Sequence, residues 1–161
     1  MALRKPLVLV SGQIQQLQSA DTLDAVQSGG VSVNQTNNEA GAIVIGTPVY
    51  NDVANGVKKG RADASGTTKI VGLVRDVSIS AAASGAIQTD GILTATTGQW
   101  DAVMGTTGGL TVGVRYYLSA VTAGLGTATA PTTVGQYVVE LGIAMSTVDL
   151  KVNAYNDTIL L

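Results

Sequence analysis

GQWDAVMGTTGGLTVGVRYYLS (Gly98–Ser119), TATAP (Thr127–Pro131) and YVVELGIAMSTVDLKV (Tyr137–Val152) are the passages that decide the fold. They read as three strand-like runs separated by glycine-rich turns. Leu110, Val112 and Val114 alternate with Thr111, Gly113 and Arg115, the period of two that marks a strand with one buried face. Tyr137–Met145 is almost continuously apolar apart from Glu140, as in a central buried strand. Leu150–Val152 alternates again. Gln99–Met104 is short and fits a single helical turn.

Turn signals recur through the preceding stretch at the intervals of an all-β sandwich or barrel. Val31–Asn34, Ala42–Ile45, Lys69–Val74 and Ala86–Thr89 read as strands, and Val77–Ser80 continues the third after a bend. Pro48 belongs at an edge or a strand start, because it has no N–H to give a ladder. Asn55-Gly56 is a tight-turn dipeptide, and Asp90-Gly91 predicts a hairpin into Ile92–Thr96. At the N-terminus, Leu7–Val10 and Gln13–Leu17 flank Ser11-Gly12, a two-residue hairpin signal. Such a hairpin has little to bury alone. Ser28-Gly29-Gly30 interrupts the pattern, so residues 1–29 are expected to be an arm and residues 30–161 a single β-barrel or β-sandwich domain with glycine-rich turns. No helical period and no heptad run extends over three turns.

Composition supports this reading. Glycine occupies 20 of 161 positions without a Gly-X-Y period, which favours turn-rich β structure over collagen. Charged residues make up 12%, about half the usual share, so part of the surface is expected to lie against other chains. Net charge is −2, and no basic stripe interleaved with aromatics marks a nucleic-acid surface. Lys58, Lys59 and Arg61 read as a solvated turn. No apolar run reaches the length of a membrane span, and Leu7–Val10 after Arg4 and Lys5 is too short for a signal sequence.

The chemistry that the residues allow is narrow. Histidine and cysteine are absent, which removes imidazole bases, thiolate nucleophiles and the common metal ligands. No Gly-x-x-x-x-Gly-Lys-Ser/Thr phosphate cradle occurs. Asp63, Asp76, Asp90, Asp101, Glu140 and Asp149 are scattered singly rather than paired for glycoside hydrolysis. The expectation is therefore no enzyme, with no catalytic, cofactor or metal residues. Glu140 is either a buried acid, with a raised pKa or an ion-pair partner across a subunit interface, or a member of a strand's wet face. One tyrosine of Tyr116-Tyr117 must face inward and the other outward. The outward one is ordinary surface or an interface anchor, and Trp100 is weighed in the same way.

Trp100–Val103, Gly109–Ser119, Thr129–Pro131 and Leu141–Ser146 resemble a β module of tailed-bacteriophage structural proteins, one shared with tail-fibre proteins. GAIVIGTPVY (Gly41–Tyr50), KIVGLVRD (Lys69–Asp76) and GAIQTDGIL (Gly85–Leu93) resemble the front half of phage capsid decoration (cement, or head auxiliary) proteins. MALRKPLVLVSGQIQQLQSADTL (Met1–Leu23) is similar to a leader of phage head and tail proteins. The resemblance implies a virion structural protein, made in the host bacterial cytoplasm and carried on the capsid surface. Its partners would be the major capsid protein and, as a homotrimer, further copies of itself, with no nucleic acid, membrane, cofactor or small-molecule substrate. Leu7, Val8, Leu9, Val10, Ile14 and Leu17 are then candidates for a capsid-docking arm, and Trp100, Tyr116 and Tyr117 for a subunit interface. The alternative is a tail-attachment or receptor-binding module, from which the chain departs in lacking repeated shaft sequence.

Overall fold

The computed structural model describes residues 30–153 and 159–161, together with the backbone pairing of 7–10 and 13–16. The protein is all-β with one short helix. β1 (Leu7–Val10) and β2 (Gln13–Gln16) form an antiparallel ribbon with Leu9 opposite Ile14 and Val10 opposite Gln13. The hairpin expected there is present. Leu17 and the remainder of the arm lie outside the described residues.

The body opens with β3 (Ser32–Asn37), the two-residue β4 (Ile43–Val44), and the hairpin β5 (Pro48–Val53) and β6 (Gly56–Lys59). Asn55 closes that hairpin at φ 59°, in the left-handed region that Asn tolerates. β7 (Ile70–Val74), β8 (Ser78–Ile79) and β9 (Ser84–Gln88) follow. In the order β3-β6-β5-β7-β9 the longer strands close into a small barrel, with β3 and β6 parallel. β4 and β8 pair separately. Val49, Val57, Val74 and Ile87 fill the barrel, joined by Ile43 and Ile79 from the β4–β8 ribbon. Asn37, wholly buried nearby, donates from Nδ2 to the carbonyls of Gly41 and Ile79 and accepts the Glu39 N–H, each at 2.9 Å. Its polar atoms are thus satisfied, as burial requires.

The second half consists of β10 (Asp90–Thr94), helix α1 (Thr97–Met104), β11 (Arg115–Leu118), β12 (Gly126–Thr127), β13 (Tyr137–Val138), β14 (Glu140–Ala144), β15 (Asp149–Asn153) and β16 (Ile159–Leu160). Five of these make one antiparallel sheet, β10-β15-β14-β11-β12, and β13 pairs with β16. The apolar run around β14 is central, as expected, but it is two strands divided at Val139. α1 runs longer than one turn because Thr96 and Gln99 form a capping box and Gly105, at φ 65°, caps the other end.

Several local expectations are corrected by the pairing. Asp90-Gly91 lies within a strand. β9 pairs with β3 and β7 whereas β10 pairs with β15, so the chain changes sheets across Thr89, whose N–H donates to Val31 C=O. Gly91, at φ 88°, supplies the backbone freedom near this crossing. Leu110–Val114 is not a strand: the Val114 N–H returns to Thr111 C=O in a turn with Gly113 at φ 77°. Lys58 and Lys59 belong to β6 rather than a turn, and Lys58 pairs with Asp52 at 3.3 Å.

The two halves share a core. Ile45, Ala62, Ile70 and Leu73 from the barrel side pack with Leu93, Trp100, Tyr116, Leu118, Leu141 and Leu150 from the other. β7 is apolar on both faces for this reason, since Val74 points into the barrel and Leu73 into the shared core. Fully burying each such aliphatic side chain contributes about 1.5–3 kcal/mol.

Candidate interaction face

The five-stranded sheet has one face on the shared core and one open face. Alternation along β15 decides which residues go where: Leu150 and Val152 are buried while Lys151 and Asn153 are exposed. The register then sets Ile92, Lys151, Ile143 and Arg115 in one row across β10, β15, β14 and β11. Asp90 stands opposite Asn153, and Tyr117 opposite both Glu140 and Thr127, after a bulge between Tyr116 and Tyr117. A depression of about 330 Å³ lies among Asp90, Arg115, Glu140, Ile143, Lys151 and Asn153.

Charge on this face is organised rather than loose. The Arg115 guanidinium donates to Glu140 Oε2 at 2.6 Å. That hydrogen bond and the carboxylate's charge hold Arg115 still more firmly protonated, with Tyr117 adding to the effect. Glu140 is therefore on a wet face, the second of the two readings offered for it.

The aromatic candidates separate cleanly. Tyr116 is wholly buried, and its hydroxyl accepts the Thr111 N–H at 3.0 Å. Trp100 is wholly buried too, and its indole N–H donates to Val148 C=O at 2.8 Å. Gly46, at φ 83°, leaves room for the ring; a Cβ there would stand 2.9 Å from Trp100 Cζ3. Neither side chain can reach a partner, so both are withdrawn as interface residues: each is taken up by its own core. Tyr117 alone stays half-buried on the open face, the outward member of its pair.

Ile92, Lys151 and Arg115 were missed as site residues. The alternation around Leu150 and Val152 already pointed Lys151 outward, but only the register brings the row together. A second surface lies between α1 and the β4–β8 ribbon, where two adjoining hollows of about 480 and 470 Å³ share Ile45, Val77, Thr96 and Gln99.

Three of the scattered carboxylates hold local contacts. Asp76 accepts the Ala86 N–H, Asp63 pairs with Arg61, and Asp149 accepts the hydroxyls of Thr94 and Ser146. Those two hydroxyls, Thr94 first, hold the Asp149 carboxyl below the usual carboxylate range. Among the described residues no three His, Cys, Asp or Glu side chains gather to hold a metal ion. No helix among them is long and apolar enough to cross a membrane. No protein-family model and no curated protein matches this chain.

Proposed function

We propose that this protein is a bacteriophage capsid decoration protein, which binds the outside of the head across major capsid protein subunits. The virion reading rests on the sequence resemblance in Gly41–Leu93 and Trp100–Ser146. The structural observation that carries binding is the open sheet face, where Ile92, Ile143 and Tyr117 stand around Lys151 and the Arg115–Glu140 ion pair on a backbone held from behind by the shared core.

Aliphatic and aromatic groups mixed with charges are the composition of a binding patch. Burial at roughly 25 cal/mol per Å² of apolar surface would hold each copy in place. A ligand that binds only the intact shell stabilises it by mass action. Copies set as homotrimers over the junctions of capsid subunits would resist expansion and rupture. The arm adds a further hold on the particle.

Co-sedimentation with undecorated shells tests this. The full chain is expected to pellet with shells, and Tyr117→Ala with Lys151→Glu to bind about tenfold more weakly, at unchanged thermal stability. Equal binding by the variant, or labelling confined to the tail tip of intact particles, overturns the reading; the second result selects the tail-attachment alternative.

A further inference from the structure

β16 is one strand of a two-stranded ribbon. The Leu161 N–H donates to Gln136 C=O and the Gly135 N–H to Leu161 C=O, both at 3.0 Å. Neighbouring residues of a strand face opposite sides, yet Ile159 is 58% and Leu160 59% exposed. Neither face of β16 is covered. Leu161 and Val134 continue the same apolar patch. Isolated two-stranded ribbons are marginal in water, and an apolar edge strand is a template for another chain.

The β1–β2 ribbon is in the same position. Among the described residues no third strand joins either ribbon. β1 reads LVLV, apolar and uncharged at four consecutive positions, the pattern of a strand buried on both faces. Its one edge is taken by β2. We propose that β1 of one copy adds to the open edge of β16 of a second copy, joining the ribbons into a four-stranded sheet β2-β1-β16-β13.

Charge and reach select this occupant. The side chains of Ile159–Leu161 carry no charge on either face, so a strand bearing charged side chains would lose hydration against them without a partner. β1 brings none. Residues 17–29, between β2 and the body, can span up to about 45 Å at roughly 3.3–3.6 Å per residue, enough to reach a neighbouring body. The contact joins unlike surfaces, so it is heterologous and can close into a ring such as a trimer. The pairing is between copies and does not depend on shell binding.

The absence of native cysteine permits a clean test. Leu9→Cys and Leu160→Cys are placed in separate, differently tagged full-length chains, mixed, and oxidised. A disulfide-linked heterodimer is expected, with little linkage in either variant alone. Leu9→Glu is expected to abolish the oligomer seen by sedimentation, and mixing it with Leu160→Lys to restore a complex. A monomeric wild-type chain with no cross-link overturns the proposal. So does a double-cysteine chain that closes only on itself, a Leu9→Cys homodimer alone, or linkage of Leu9→Cys only to capsid protein. Heterodimer formation without shell binding would instead sink the decoration reading and leave this pairing standing.

Discussion

Asp101, one of the carboxylates scattered singly through the sequence, organises a loop in the fold. Its Oδ1 accepts the Thr106 hydroxyl and the Gly109 N–H, each at 2.8 Å, and its Oδ2 accepts the Gly108 N–H at 3.0 Å. The Gly109 amide first, then Thr106 and Gly108, hold the carboxyl below its ordinary range against a smaller opposing effect of burial. A depressed folded value means that the unfolded chain binds the proton first. The contribution is therefore complete above the unfolded value of about 3.9 and is lost as pH falls through the lower folded one. Asp101→Asn is expected to lower Tm at neutral pH, with the gap to the parent closing as pH drops below about 4. A gap constant with pH would assign the loop's order elsewhere. The sequence could not show this role, because the two amides reach the carboxylate only where Gly108 and Gly109 take φ of 81° and 93°.

At the scale of elements, strands were legible where a strand's own residues carry its reason. The apolar run within Lys69–Val74 marks β7, and alternation around Leu150 and Val152 marks β15. The run through Leu110, Val112 and Val114 misled, since period two states that faces alternate and does not state that a neighbour strand is present. Gly113 turned it instead. Barrel closure depends on β7 and β9 approaching closely at Gly72, where any Cβ would meet the carbonyl oxygen of Gln88. Backbone cannot rotate aside as a side chain can. Gly72→Ala is therefore expected to cost about 1–3 kcal/mol, the range for overpacking a tight site, read as a lower midpoint in urea. A neutral result would mean that the β7–β9 seam yields more easily than its register suggests.

For the whole molecule the decisive feature is the core shared between the barrel and the five-stranded sheet. Trp100 sits in it with Ile45 and Leu73 from one half and Leu141 and Leu150 from the other. The halves should consequently unfold together: indole fluorescence and far-ultraviolet circular dichroism should give coincident transitions. Trp100→Ala, which removes the only indole, should lower stability by about 3–5 kcal/mol and still unfold in a single transition by circular dichroism. Two separated transitions would show that each half stands alone. The sequence by itself determined the all-β class, the Asn55-Gly56 hairpin turn and the lack of imidazole and thiol chemistry, since these follow from residue type and local period. Tertiary structure alone decided that Trp100 and Tyr116 belong to the interior, that Asp90-Gly91 lies in a strand with the sheet crossing at Thr89, and that Ile92, Lys151, Ile143 and Arg115 form one row. The physical reason is that strand pairing is non-local. Alternation says that one face of a strand is buried, but its partner, and hence which side chains become neighbours, is settled by backbone hydrogen bonds between residues far apart in the chain.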